Sequence, residues 1–365
     1  MRVFHVRLDQ FIELDVPPDG LPADGYFWVS FGRHEFESQV VALQARLQGW
    51  TGGQLVDLHV SDLLNDHLPS HFDDTSWYEL LVFRRLAAQP GQEGQIGDDT
   101  SRALSSARKT LEAIDTSPVG FAVFDRVLVS VHPHDCQVRT FFAQRLQQQT
   151  HSVESRAATR LPTGPADLML RMVNHMVDRY LELRRALSRQ FEHVQKRLFN
   201  PRASFHNWPV LLELRNTLHQ LEETCEDQRS AIVEWIDALD EWPDENDPAE
   251  RRERELLRVR SRDVLEHIER VLTHVRRLET SAETGVQIHF AAQSHRTNGI
   301  MRTLTVLTAI FLPLNLVTGF FGMNFDALPL IHSQTGIWIV TGALLLLALG
   351  LGALFWRKRY LSSGR

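Results

Sequence analysis

Residues 297–325 read TNGIMRTLTVLTAIFLPLNLVTGFFGMNF, and this stretch decides the fold of the chain. From Thr303 to Phe325 no residue is charged, and after Asp326 the next Asp, Glu, Lys or Arg is Arg357. About 20 apolar residues are enough to cross the hydrocarbon core of a bilayer as a helix. The sequence therefore predicts two membrane-spanning helices, over residues 304–321 and 336–356.

Basic residues flank these spans unevenly. Arg296 and Arg302 precede the first span and the basic run 357–359 follows the second, whereas residues 322–335 between the spans contain no Lys or Arg. Cytoplasmic flanks of membrane helices are enriched in Lys and Arg, and the N-terminal residues lack the apolar run of a signal peptide. We therefore expect a multi-pass protein of the bacterial inner membrane with both termini in the cytoplasm.

The composition narrows the choice of partner. The 365 residues include 39 Lys and Arg against 46 Asp and Glu, a formal net charge of −7. Nucleic-acid binding needs a basic face to replace phosphate counterions, so nucleic acid is not expected as a partner and cations are favoured. The first 290 residues contain no phosphate loop, nucleophile–base set or dinucleotide fingerprint. An enzyme is therefore not expected.

The two cysteines, Cys136 and Cys225, are too few for a disulfide framework. Cys136 ends the run His132-Pro133-His134-Asp135-Cys136, whose side chains could bind zinc. A second Cys/His cluster that would complete such a site is missing from the sequence, and Pro133 suggests a turn. We interpret this run as a surface turn.

The apolar pattern divides the chain into three predicted domains. Residues 1–150 mix short β-like runs with helical pieces and predict a cytosolic α+β domain. Residues 151–300 follow a helical period and predict long cytosolic helices that include a stalk. Residues 301–365 predict a two-span transmembrane domain. The β-like runs are residues 26–31, 79–83, 120–124 and 126–131.

Three long helices are expected in the middle domain. Residues 165–199 and 209–239 predict a helical hairpin, and a third helix begins at Ala249 and meets no proline before Pro313. This stalk helix can therefore continue into the first span. Its apolar stripe predicts packing in a bundle, within the chain and between subunits. The stripe consists of Leu256, Val259, Val264, Ile268, Val271, Val275 and Leu278.

One face of the first span mixes polar and apolar groups. Residues spaced by three or four positions share a helix face, and a polar stripe in a membrane must face a partner or water. The absence of charge suits an ion that keeps its water shell, as magnesium tends to. Hydrogen bonding between packed helices would explain the stripe equally well. The stripe consists of Asn298, Met301, Leu304, Thr308, Leu312, Asn315 and Gly319.

The end of this span resembles the signature of the CorA metal ion transporter family. The triplet Gly322-Met323-Asn324 follows the first of two spans, and Thr297-Asn298 and Met301 also match in register. The likeness extends over nearly the whole chain. It implies an α+β cytosolic domain with a long helical hairpin and a stalk helix, followed by two C-terminal transmembrane helices. The whole would be a CorA-like funnel, a homopentamer whose first spans line the pore.

The resemblance also implies roles for single residues. Gly322, Met323 and Asn324 would form the selectivity filter, with Asn324 as its outer ring. Two apolar constrictions, Leu304 and Leu312, would gate by dewetting. The pore-lining positions would be Asn298, Met301, Leu304, Thr308, Leu312, Asn315 and Gly319.

Two acidic residues match family positions that hold a regulatory metal. Asp263 lies on the stalk, and Asp62 resembles its partner from a neighbouring subunit. Carboxylates shared across an interface would let cytosolic magnesium join subunits and close the pore. As isolated residues, both could equally be solvated surface acids.

The function that the resemblance implies is a divalent metal cation channel or transporter. It would conduct magnesium, and also cobalt or nickel, with the bilayer and copies of itself as partners and no cofactor besides the transported or regulatory ion. The outer loop departs from the family pattern, since Asp326 is followed by residues 327–332 without the usual acidic pair. This keeps a zinc transporter of the ZntB type as the alternative. A membrane-anchored signalling or enzymatic domain is the alternative from another class.

Overall fold

The structure is a computed structural model that describes residues 1–88, 114–134, 136–151, 161–198, 208–242, 247–323 and 334–357. The chain divides into two compact units, Met1–Thr284 and Gly285–Arg365. Residues 89–99, whose Gly-, Gln- and Asp-rich composition predicts a loop, lie outside the described residues, and so does Asn324. The division into three domains stays a prediction.

The first unit is built on a mixed β-sheet. Seven strands form it in the order β2-β1-β3-β9-β8-β5-β4, with β3 and β9 parallel and the other neighbours antiparallel. All four predicted strands are confirmed. The described strands are β1 (Arg2–Val6), β2 (Phe11–Leu14), β3 (Tyr26–Gly32), β4 (His71–Asp74), β5 (Glu79–Arg84), β6 (Ala87–Ala88), β7 (Ile114–Asp115), β8 (Pro118–Phe124) and β9 (Val127–His132).

Helices dominate the rest of the chain. The three long helices predicted to start near residues 165, 209 and 249 are confirmed, each starting within one residue of the expected position. The described helices are α1 (Arg33–Thr51), α2 (Asp57–Leu64), α3 (Gln137–His151), α4 (Pro165–Leu198), α5 (Trp208–Glu241), α6 (Pro248–Phe321) and α7 (Gln334–Arg357). Helix α6 has 74 residues and one interior proline, Pro313.

The sheet is covered on both faces. Side chains of α1 and α2 pack on one face, where Phe36, Leu43 and Leu47 are fully buried. Helix α4 contacts β3, β8 and β9, and α5 contacts β4 and β5. Every residue of β8 and β9 is buried, as expected for central strands covered on both faces. The sheet thus fixes the positions of α4 and α5.

The apolar stripe of α6 in the first unit is confirmed in large part. Val264, Ile268, Val271, Val275 and Leu278 are buried. The prediction is wrong for Leu256 and Val259, which are 50% and 61% exposed. At about 100° per residue these two lie roughly 80° and 140° around the helix from Val264. Leu257 and Ser261 occupy the buried face in their place.

The predicted surface turn at residues 132–136 is wrong for its two ends. His132 is the last residue of β9 and 1% exposed, and Cys136 is also buried. Burial lowers the pKa of His132 to about 3, so its imidazole is neutral and shares a 2.9 Å hydrogen bond with the Ser130 hydroxyl. Strand β9 therefore continues to the residue directly before Pro133, one residue beyond the predicted end at residue 131.

Candidate ion pathway

Two helices in the described part of the chain are long and apolar enough to cross a membrane, α6 and α7. In their most apolar stretches, 6% of the residues of α6 and none of α7 are buried. A core helix of a soluble protein would be mostly buried, whereas here large side chains such as Trp338 and Leu346 are exposed. Exposed apolar surface of this extent fits contact with lipid.

The least exposed residues of α6 from residue 290 onward form one stripe. They recur at three- and four-residue intervals, and α7 has a stripe of the same kind. We infer that these stripes face each other. In α6 the stripe is Val306, Ala309, Ile310, Pro313, Leu314, Val317 and Phe321, and in α7 it is Gly336, Val340, Leu344, Ala348, Leu351, Gly352 and Phe355.

The predicted pore-lining residues lie on the opposite side of α6. At about 100° per residue, the mean position of these residues around the helix axis is roughly half a turn from that of the covered stripe. All seven are exposed: Asn298, Met301, Leu304, Thr308, Leu312, Asn315 and Gly319. The sequence-derived stripe is therefore an uncovered face of the helix, available to other copies of the chain or to water.

The threonines of α6 donate their hydroxyl protons to the helix itself. Thr308 Oγ1 donates to the Leu304 carbonyl oxygen at 2.9 Å, and Thr305 Oγ1 donates to the Met301 carbonyl oxygen at 2.8 Å. A hydroxyl has one proton and two lone pairs, so these oxygens keep acceptor capacity outward. The Asn315 amide carbonyl is a further acceptor. Acceptors are what a hydrated cation needs, because its waters point their hydrogens outward.

Helix α6 ends at the start of the signature triplet. The Gly322 amide donates to the Thr318 carbonyl at 2.9 Å, and the Met323 amide donates to the Phe320 carbonyl at 3.4 Å. A Cβ atom at Gly322 would lie 3.1 Å from the Thr318 oxygen, closer than an ordinary van der Waals contact. A larger residue at position 322 would require a shift of a few tenths of an ångström at this helix end.

The two predicted regulatory acids have separate neighbours. Asp62 lies on α2 with its Oδ2 3.9 Å from His71 Nε2. Asp263 lies on α6, its Oδ1 is 3.8 Å from His267 Nε2, and His267 Nδ1 is 3.0 Å from Asp178 Oδ1 on α4. The histidines were missed from the sequence, although the i,i+4 spacing of Asp263 and His267 was a usable signal.

Asp263 also lines an open cleft of about 630 Å³ between α3, α4 and α6. Asp178 and Asn174 of α4 line the same cleft, and Arg145 and Arg260 bring positive charge to it. The Asp263 side chain is 53% exposed. Asp263 is thus reachable from solvent, as a shared metal ligand would have to be.

Comparison with known proteins gives matches over most of the chain. A family model described as CorA-like Mg²⁺ transporter protein matches residues 102–359. YfjQ of Bacillus subtilis (strain 168), described as a candidate metal ion transporter, is 24% identical over 246 residues, 67% of this chain and 70% of that protein. The cobalt/magnesium transport protein CorA of Thermotoga maritima is 27% identical over 100 residues, 27% of this chain and 28% of that protein.

Two solved structures share the fold. The complete CorA magnesium transporter of Methanocaldococcus jannaschii superposes with a TM-score of 0.70 at 15% identity, covering 100% of this chain and 98% of that one. The full-length CmaX protein superposes with a TM-score of 0.66 at 17% identity, covering 98% and 97%. The predicted fold is confirmed: an α+β unit, long helices and two C-terminal apolar helices.

Proposed function

Because this chain belongs to the CorA-like Mg²⁺ transporter family, whose model matches residues 102–359, we propose that it conducts magnesium across the inner membrane and can also conduct cobalt or nickel. Membership makes it a membrane metal-ion transporter and not an enzyme. The choice of ion and the cytoplasmic location of both termini are the proposed part.

The uncovered face of α6 carries the proposal. Between Asn298 and Gly319 it presents amide, hydroxyl and apolar groups without a charged side chain. Magnesium gives up its waters reluctantly and is held through them by oxygen acceptors, which Thr308 and Asn315 supply. Zinc prefers imidazole, thiolate or carboxylate ligands, and none stands on this face. The face therefore suits magnesium better than zinc.

We propose that five copies arrange this face around one axis. Asn324 would form the outer selectivity ring beyond Gly322 and Met323. Leu304 and Leu312, which are 61% and 67% exposed in the single chain, would form rings that close the path by dewetting. The covered stripe would keep α7 on the outside, towards lipid.

Zinc is the second candidate ion, and one observation favours it. After Asp326 the outer loop continues without acidic residues through residue 332, so the negative charge that attracts hydrated magnesium in the family is reduced. The alternative of a membrane-anchored signalling or enzymatic domain has no comparable support.

Flux measurement separates the two ions. Purified chain in liposomes is expected to take up magnesium saturably and faster than zinc, cobalt or nickel, because the path lacks ligands that replace the hydration shell. Protein-free liposomes give the background leak. Saturable zinc uptake without magnesium uptake would reverse the assignment.

We further propose that magnesium bound by Asp62 and Asp263 of neighbouring copies favours the closed state. A ligand shifts such an equilibrium only by its differential affinity for the two states. A sensor half-occupied near millimolar magnesium binds with roughly 4 kcal/mol. The solvent access of Asp263 beside the cleft supports this assignment.

Removing both acids, Asp62→Ala with Asp263→Ala, is expected to leave a conducting protein that internal magnesium inhibits less. The measurement is flux against internal magnesium concentration. The matched control, Asp57→Ala with Glu266→Ala, takes the same charge from the same two helices and should keep the original inhibition curve. Superimposable curves for the test variant and the unchanged chain would show that Asp62 and Asp263 are ordinary surface acids.

A further inference from the structure

Ion pairs join α5 and α6 along their length in the first unit. They follow an antiparallel register, since partners in α6 step backward as those in α5 step forward. Arginine supplies the positive group in each described pair between these helices except one, where it is His219. The pairs are Arg215–Glu283 at 2.7 Å, His219–Glu279 at 3.3 Å, Glu222–Arg276 at 2.7 Å and Arg229–Glu269 at 3.8 Å, with Glu226–Arg276 and Asp240–Arg258 beside them.

The exceptional pair belongs to a three-residue cluster. Glu222 follows His219 by three positions and so lies on the same face of α5. One ligand atom from each of His219, Glu222 and Glu279 lies within 4.8 Å of the others. Zinc–ligand distances of about 2.1 Å put neighbouring ligand atoms of a tetrahedral site about 3.4 Å apart. The 3.3 Å between His219 Nδ1 and Glu279 Oε1 already matches this spacing.

The cluster holds more negative charge than its arginine compensates. The carboxyl groups of Glu222 and Glu279 are hydrogen-bonded to each other. Glu223 Oε1 lies 3.6 Å from His219 Nε2 and adds a further carboxylate. Arg276 is shared between Glu222 and Glu226. Two carboxyl groups in contact need a proton or a cation between them, and a divalent ion would neutralise both.

We propose that His219, Glu222 and Glu279 bind one divalent transition-metal ion of the zinc, cobalt and nickel class, at a site separate from the ion pathway. Imidazole nitrogen combined with carboxylate oxygen suits these ions, whereas magnesium takes oxygen ligands in octahedral geometry. The ligands come from two helices, so a bound ion joins α5 to α6. Because it binds the packed helix pair and not the unfolded chain, it stabilises that packing.

Cobalt(II) is the probe, because its visible absorption reports coordination geometry. The full chain in detergent micelles, titrated with cobalt, is expected to bind one ion per chain with a tetrahedral spectrum that zinc abolishes and a hundredfold excess of magnesium does not. His219→Ala and Glu279→Gln should each weaken cobalt binding at least tenfold. Glu283→Gln, which breaks the neighbouring Arg215 pair on the same helices, is the matched control and should bind as the unchanged chain does.

A second readout guards against misfolded variants. Zinc should raise the melting temperature of the unchanged chain and of Glu283→Gln, and should leave that of Glu279→Gln unchanged, with all three melting alike in the absence of metal. Equal cobalt affinity in the unchanged chain and His219→Ala, or displacement by magnesium as readily as by zinc, would overturn the proposal. Magnesium flux in liposomes free of transition metals is an independent measurement, so either proposal can fail alone.

Discussion

Replacing Asn315 by leucine is expected to reduce metal flux to the background of protein-free liposomes. The two side chains are similar in size, so the change removes an acceptor without adding bulk. Asn315 lies between Leu312 and Gly319 on the uncovered face of α6. With leucine there, the apolar segment that starts at Leu312 lengthens, and water leaves an apolar constriction more readily. A hydrated ion then finds neither acceptors nor continuous water.

Two control variants bracket this result. Asn315→Ser keeps an oxygen acceptor and should retain measurable flux. Thr303→Val removes a hydroxyl that donates to the Gly299 carbonyl at 3.0 Å, but Thr303 stands outside the lining stripe, and flux should stay normal. If Asn315→Leu conducts as well as Thr303→Val does, the uncovered face is not the ion path.

The largest loss of stability is expected from Trp235→Ala. Trp235 of α5 is 1% exposed, and its ring lies 5.9 Å from Phe72 of β4 and 6.2 Å from Trp242. Its Nε1 donates to Ser261 Oγ of α6 at 2.8 Å. The indole therefore joins the sheet to both helices. Truncation of a buried tryptophan to alanine costs about 3–5 kcal/mol through lost burial and the cavity left behind.

Thermal unfolding of the full chain in detergent measures this loss. Trp235→Phe is the matched control, because it keeps most of the apolar contact and gives up the indole hydrogen bond, which is worth about 1 kcal/mol. The melting temperature should fall in the order unchanged chain, Trp235→Phe, Trp235→Ala. Near-equal melting of Trp235→Ala and the unchanged chain would mean that the sheet and the two helices are held together elsewhere.

Long periodic segments were predictable from the sequence because their burial pattern repeats many times. The start of α6 at Pro248 and the strands β8 and β9 are examples that the sequence predicted closely. That the seven residues of the proposed lining stripe share one face was also predictable, because helical geometry alone decides which residues share a face. The covered stripe around Val317 was not identified, since one chain cannot reveal which apolar residues of a membrane helix meet a partner and which meet lipid.

Features that depend on contacts between distant segments escaped the sequence. Leu257 was overlooked, although it continues the three- and four-residue spacing of the buried stripe from Val264 back through Ser261, and Leu256 departs from that spacing. His132 reads as part of a turn, yet a central strand holds it in the core. The cluster of His219 and Glu279 brings together residues 60 positions apart, and only the register of α5 against α6 shows it.

Pro313 is the one proline inside α6, and it marks a position where this helix can bend. Proline lacks an amide hydrogen, so the Ala309 carbonyl one turn earlier has no helical donor, and bending of long helices concentrates at such positions. The proline lies between Thr308 and Asn315, two of the three polar residues of the face proposed to line the pathway. In the proposed pentamer, flexing there would change the spacing between the ring formed by Thr308 and the ring formed by Asn315, while leaving each half of the span straight. A small bend could thus adjust how closely the pathway matches the diameter of a hydrated ion.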